Sequence, residues 1–300
     1  MKNRQWFLMA IGLIVLSLLV TACSSMGSLS DLTGKAEGVA VAAQKANKVR
    51  QSFADITEEE EYYIGRAVSA LILSKYPVYQ NDAFTGYINL LGNAVALYSD
   101  RPETYAGYHF LVLDTDEVNA MAAPGGFIFL TKGLIKKCRN EEMLASVLSH
   151  EVGHVSAKHG LKSIKKSRLI EAFGILGQET AQRFAPEELD KLTEIFENVL
   201  GDVAESLIER GYDRKYEYEA DLLSLHILSS TGYNPYGLLD FLGTLTPDAS
   251  SGPAQGWLKT HPSAQDRMSR VQKELNTITQ AASTESARTS RFSQYMKLLK

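Results

Sequence analysis

An α+β fold, mainly helical around a small β-sheet, is what this 300-residue chain predicts, with the sheet's edge strand bordering one central helix. Three observations carry that expectation. Apolar residues recur at helical spacing through most of the chain after residue 56. Two β-rich runs, Phe110–Leu113 and Phe127–Thr131, flank the turn-forming Pro124-Gly125-Gly126. Between Asn140 and Gly160 lies a helix whose Met143, Leu144, Val147, Leu148, Val152 and Val155 make it apolar enough to be buried.

The elements follow in order. Lys2 and Arg4 precede an uncharged apolar run from Trp6 to Val20, the form of a secretory signal. That run is shorter than the about 20 residues a membrane-spanning helix needs. Val20-Thr21-Ala22-Cys23 resembles a bacterial lipobox, so residues 1–22 read as a lipoprotein signal peptide and Cys23 as the acylated first residue of the mature chain. Ser24 and Ser25 follow with no aspartate, which favours the periplasmic face of the outer membrane. Residues 23–55, rich in Ser, Gly, Ala and Lys, read as a tether, and residues 56–278 as the folded domain. Thr57 and Glu60 form a capping-box pattern opening a helix to about Tyr76. Phe84, Ile88, Leu91 and Val95 place a second helix over Asp82–Ser99. Asn119, Ala120, Met121 and Ala122 read as an edge strand whose unpaired backbone groups would accept an extended peptide; the alternative is an ordinary sheet edge. Asn140 is a good N-cap, with Glu141 and Glu142 suiting the helix dipole in the first turn. Residues 161–211 read as helical, interrupted near Pro186 and Gly201, and mostly core, with a lid over the cleft left open as an alternative. A loop over 246–256 delivers His261, Ser263 caps a last helix to about Thr277, and residues 279–300 form a polar tail with room for some helix.

The chemistry concentrates in His150-Glu151-Val152-Gly153-His154. In a helix, residues i and i+4 share a face one turn apart, so both imidazoles can aim at one metal ion. Glu151 sits beside the first of them, positioned to act as general base on a water whose pKa zinc lowers from about 15.7 to about 7. The competing reading is a helix with two satisfied histidines and an exposed glutamate; burial weakens it, because buried histidines need partners. A hydrolytic zinc site has three protein ligands and one open position. Glu217 is the candidate third ligand, with Asp221 one turn on accepting the other ring N–H of a ligating histidine. A solvated acidic face is the alternative for this stretch, and Glu219 fits it. His109, His159 and His226 carry no assigned role. Gly153 leaves room for a close neighbour.

Four motifs in order then resemble one family. These are HEVGH, the later Glu217-x-x-Ala220-Asp221 stretch, the upstream Asn119-Ala120…Pro124-Gly125-Gly126 continued by Thr131-Lys132-Gly133-Leu134, and His261-Pro262 with Arg267 six residues beyond the histidine. Together they span roughly residues 56 to 275 and are similar to the gluzincin metallopeptidases related to CAAX prenyl protease 1 and HtpX, in particular the periplasmic lipoprotein branch that includes BepA and LoiP. The resemblance implies a zincin-type core with one Zn2+ per chain held by His150, His154 and Glu217, and Glu151 as general base and acid. It also places His261 and Arg267 across the cleft, where they would either stabilise the developing oxyanion or, for the histidine, fill the metal's open position. Met121-Ala122-Ala123 departs from the bulkier residues often found in the family there.

Composition bounds the rest. Apolar residues make up 45% and net charge is -4, an ordinary globular balance that suggests no polyanionic partner, and no nucleic-acid motif or phosphate loop is present. With Cys23 acylated, Cys138 stands alone and no internal disulfide forms. The functional expectation is a zinc-dependent endopeptidase acting on exposed or misfolded envelope proteins. Its alternative is a chaperone-like outer-membrane assembly factor with a plugged zinc site, bound to outer-membrane assembly proteins.

Overall fold

One helix organises the molecule, and every residue of it from Glu141 to Val155 is buried. In the computed structural model the described residues are 56–163, 198, 200–245, 257–261, 264–278 and 285–299. The expected signal peptide, tether, Cys23, loop over 246–256, Ser263 cap and most of the 161–211 stretch lie outside them. Among the described residues no helix is long and apolar enough to cross a membrane.

Helix α1 (Glu58–Lys75) opens with the predicted capping box, in which Thr57 accepts from the Glu60 N–H and the Glu60 carboxylate accepts from the Thr57 N–H. Helix α2 (Asp82–Ala96) is capped by Asn81 and ends three residues before the predicted Ser99, where Tyr98 and Ser99 turn back to bond the carbonyls of Val95 and Ala96. Strands β1 (His109–Leu113), β2 (Ala120–Ala123) and β3 (Phe127–Thr131) form a sheet in the order β1-β3-β2. β1 runs parallel to β3, and β2 pairs with it antiparallel across a short helical turn at Pro124–Gly126.

The two-residue period of a strand divides the core. Phe110, Val112, Ala120, Ala122, Ile128 and Leu130 face a large cluster built on α2 and on α4 (Glu141–Ser156). Met121, Ala123 and Phe129 face a smaller one under α1. Helix α3 (Lys132–Lys137) leads from β3 toward α4 and is C-capped by the buried Cys138. Helix α5 (His159–Lys162) follows α4 after a break at Lys158, whose φ of 55° is left-handed. The expected interruption at Gly201 is absent: residues 200–205 are helical and continue into a wider turn over Ser206–Arg210. Leu207 is buried there, while Leu200 and Ile208 pack half-buried on the smaller cluster.

Helix α6 (Arg214–Thr231) packs along α4. A Cβ added at Gly153 would stand only 3.2 Å from the Ala220 carbonyl oxygen, so the close approach of α4 and α6 uses this missing side chain. Helices α7 (Tyr236–Thr244), α8 (Trp257–Thr260) and α9 (Ala264–Leu275) complete the bundle beside them.

The polar C-terminal stretch is partly helical: residues 285–296 form helix α10 (Glu285–Met296), with Phe292 buried and Tyr295 stacked on Tyr87 at 4.2 Å. Arg291 pairs with Glu141, whose oxygens also accept from the Tyr87 and Tyr233 hydroxyls at 2.9 Å. Arg288 pairs with Glu142 at 2.9 Å. The first-turn carboxylates of α4 thus fasten the end of the chain to the central helix, and the compact unit runs over Phe53–Lys300.

Burial pushes the Cys138 thiol well above its ordinary pKa. We expect no reaction of Cys138 with a thiol reagent at pH 8 until denaturant unfolds the domain, read by absorbance of the released thiolate. Stoichiometric labelling of the native protein would contradict this packing.

Candidate metal centre

Helix α4 presents His150 and His154 one turn apart, and α6 brings Glu217 against them. The Nε2 atoms of the two imidazoles are 3.0 Å apart. His150 Nε2 lies 3.5 Å from Glu217 Oε2, and His154 Nε2 lies 3.4 Å from Glu217 Oε1. Donors about 2.0–2.1 Å from a tetrahedral ion are about 3.3 Å from one another, so these spacings fit one ion at the common point. A fourth donor, on His261, falls in the same group, whose ligand atoms all lie within 4.8 Å of one another. All four side chains are buried.

The three groups are shifted in different directions by their surroundings. Burial carries the His154 imidazole down to about 3, leaving it neutral with a lone pair. Burial and the neighbouring Arg267 also oppose charge on His150, but Asp221 and Glu217 outweigh them and raise it to about 9. Burial alone would raise Glu217, yet His261, Arg267 and the two imidazoles hold it well below the usual carboxylate range. Imidazole nitrogen and carboxylate oxygen together suit a first-row divalent ion.

Asp221 Oδ1 lies 3.0 Å from His150 Nδ1. Arg267 lies beside the centre, against its carboxylates. Its Nε and Nη2 donate to the two Asp221 oxygens at 2.8 and 2.6 Å, Nη1 lies 3.0 Å from Glu217 Oε2, and the side chain is fully buried. It contacts His150 at Nδ1, away from the ligand nitrogen. Arg267, whose Nη1 makes no hydrogen bond among the described residues, is thus a buried cation between two carboxylates. The reason is burial: two carboxylates at this depth require a charge partner.

His261 does face the centre. Its Nδ1 lies 3.0 Å from Glu217 Oε2, and its Nε2 lies 3.8 Å from Glu151 Oε1 and 3.4 Å from the Ala120 carbonyl. Trp257 lies flat on its ring at 4.5 Å and carries the Arg267 guanidinium at 4.5 Å. Glu151 is wholly buried, burial raises its pKa, and neither of its oxygens has a hydrogen-bond partner among the described residues.

The predicted substrate edge is present but covered. β2 is an edge of the ladder, yet Ala120–Ala123 are buried, the Tyr212 hydroxyl donates to the Ala122 carbonyl at 3.1 Å, and His261 stands at that of Ala120. Met121 points into the smaller core cluster rather than toward a bound peptide. Asn119 precedes the strand and serves as an anchor: its side-chain oxygen accepts from Thr260 Oγ1 at 2.9 Å, tying β2 to the turn that holds His261. The covering segment passes tightly, since a Cβ on Gly211, at φ 75°, would meet the Thr260 carbonyl oxygen at 1.8 Å.

Sequence reasoning passed over four side chains here. Tyr212 stacks on His154 at 4.4 Å, and Trp257 steadies His261. His159 Nδ1 lies 2.8 Å from His154 Nδ1, and Glu219, read as a merely solvated acid, lies 3.1 Å from His159 Nε2. His109 and His226 are exposed and stay outside the centre, as expected.

Comparison with known proteins agrees with this geometry. Residues 83–275 match Peptidase family M48. The Beta-barrel assembly-enhancing protease of Escherichia coli K12 is 29% identical over 206 residues, 67% of this chain and 40% of that protein. The Mitochondrial metalloendopeptidase OMA1 of Arabidopsis thaliana is 30% identical over 177 residues, 58% of this chain and 33% of that one. Metalloprotease YcaL of E. coli K12 is 29% identical over 167 residues, 56% of this chain and 62% of its own length. The chain spans less than half the length of the Beta-barrel assembly-enhancing proteases it matches.

Proposed function

The chain belongs to peptidase family M48, and from that premise we propose that it is a zinc-dependent metalloendopeptidase of the bacterial envelope. The observation that carries the reading is the meeting of His150 and His154 with Glu217, more distant in sequence, beside a buried carboxylate, Glu151, that has no hydrogen-bond partner among the described residues.

In this reading His150, His154 and Glu217 hold one Zn2+, which supplies Lewis acidity when bound. Glu151 takes the proton of the attacking water and passes it to the leaving amine. Its raised pKa moves it toward the value a base needs near neutral pH. Asp221 accepts the Nδ1 proton of His150, which leaves Nε2 free to face the metal. Arg267 neutralises the two carboxylates without touching substrate. His261 stands between Glu151, Glu217 and β2, where an arriving peptide must displace it or use it. Asn119, Ala120, Met121 and Ala122 remain the proposed strand against which an extended polypeptide pairs, once Tyr212 and His261 have left the carbonyls of Ala122 and Ala120.

The envelope assignment draws support from the Val20–Cys23 motif and from relatives named for β-barrel assembly. We accordingly read residues 1–22 as a signal peptide, Cys23 as an outer-membrane lipid anchor on the periplasmic side, 23–55 as a tether, and exposed or misfolded envelope proteins as substrates. Relatives named as protease or metalloendopeptidase give the purely chaperone-like alternative no support.

The test pairs metal analysis with casein cleavage for the native protein and Glu217→Ala. We expect about one zinc per native chain, and loss of both metal and cleavage in the variant. An unchanged zinc content in Glu217→Ala would remove the third ligand and with it the proposed centre.

A further inference from the structure

We propose that His159 and Glu219 are positioning residues for the metal-facing imidazole of His154, forming a relay that fixes its tautomer and ring orientation; this rests on the metal-centre reading above. The local backbone is built for it. Five residues along a straight helix would place His159 about 140° around from His154, on a different face. Helix α4 instead stops at Ser156, and Lys158 adopts φ 55° and ψ 36°, a left-handed conformation that costs a residue with a Cβ about 1–2 kcal/mol. The break turns His159 back so that its Nδ1 lies 2.8 Å from His154 Nδ1. Strain of this kind persists only where the surroundings enforce it.

The hydrogen bonds admit one consistent assignment for a metal-binding His154. With its Nε2 lone pair free, its Nδ1 carries the proton and donates to His159 Nδ1. His159 then carries its proton on Nε2 and donates to Glu219 Oε2 at 3.1 Å. His159 is fully buried, so both its nitrogens need such partners. The same logic serves His150 by a shorter route, directly to Asp221. One helix, α6, thus supplies the third donor, Glu217, and both terminal acceptors, Asp221 and Glu219. Glu217 and Asp221 share a face, but Glu219 lies about 200° around from Glu217 and cannot reach the centre itself. His159 bridges that gap: it packs on Tyr216 at 4.5 Å, one turn from Glu219 on the same side of α6.

The test uses the full-length protein and three variants, His159→Phe, His159→Asn and Glu219→Gln. Zinc affinity is read by chelator competition, the visible absorption of the cobalt-substituted protein reports the ligand field, and melting in EDTA reports the fold without metal. His159→Phe fills the volume without an acceptor and is expected to weaken zinc binding about 10–100-fold and to shift the cobalt spectrum. His159→Asn, whose side-chain oxygen can take the place of Nδ1, is expected to recover most of both. Glu219→Gln changes a half-exposed side chain, keeps the fold, and should weaken binding by less than His159→Phe. Zinc affinity and cobalt spectrum in His159→Phe matching the native protein would overturn the relay, as would His159→Asn binding no better than His159→Phe. If His159→Phe does not fold, native affinity in Glu219→Gln overturns it. A native protein that retains neither zinc nor cobalt removes the metal centre itself, and the relay with it.

Discussion

Replacing Glu151 by Gln is expected to reduce casein cleavage by about 10²–10⁴-fold while leaving zinc content at the native level. The two halves of that result come from different features of the residue. Glu151 lies on the HEVGH turn between the two imidazoles but contributes no atom to the group of candidate ligands, so the ion does not depend on it. Its carboxylate is fully buried and lacks a hydrogen-bond partner among the described residues, and the nearest ring nitrogen of His261 is 3.8 Å away. A buried carboxylate left in that state is unfavourable for folding, which is expected of a group kept for chemistry rather than for support. Glutamine keeps the shape and cannot carry the proton. The variant should consequently melt, without metal, no lower than the native protein. Cleavage within threefold of native would mean that another group is the base, and would reopen the client-binding alternative.

What could be read in advance was what depends on neighbours in sequence. The capping box at Thr57, the Asn140 cap, the two β-rich runs and the i, i+4 pairs His150/His154 and Glu217/Asp221 are all local patterns, and all appear in the structure as expected. The relay through His159 was hidden because it requires a left-handed lysine, and no residue preference marks Lys158 for that conformation. Trp257 and Tyr212 act through ring contacts across the fold, with no spacing rule to announce them. The docking of helix α10 was hidden because its apolar residues, Phe292, Tyr295 and Met296, are few and set among polar ones; its attachment depends on arginines meeting Glu141 and Glu142, about 150 residues away in the chain. The covering of β2 is likewise a tertiary fact, since the Gly211–Tyr212 segment reaches it from a distant part of the chain.

Substituting Arg267 by Met is expected to destabilise the metal-free protein by about 3–5 kcal/mol, the cost of removing one partner from a buried ion pair. Arg267 lies on a helix rich in charge yet is fully buried on the same face as Ala264, Val271 and Leu275, where it meets both Asp221 oxygens and Glu217. Burial opposes charge on Asp221 and Glu217, and Arg267 is a leading reason that both carboxyls nonetheless sit below their ordinary values. Methionine would fill much of the volume and leave two carboxylates facing each other without their cation. Lysine should rescue only part of the loss, because an ammonium cannot make the two-pronged contact with Asp221. Adding Asp221→Asn to Arg267→Met should recover some stability by removing one of the stranded charges, giving a coupling in a double-mutant cycle. Zinc should narrow the gap between Arg267→Met and the native protein, since the ion supplies positive charge at Glu217 from the other side. Urea unfolding with and without zinc reads all four comparisons. A metal-free loss below about 1 kcal/mol, the range of a surface pair, would show that the guanidinium is not what holds these carboxylates in position.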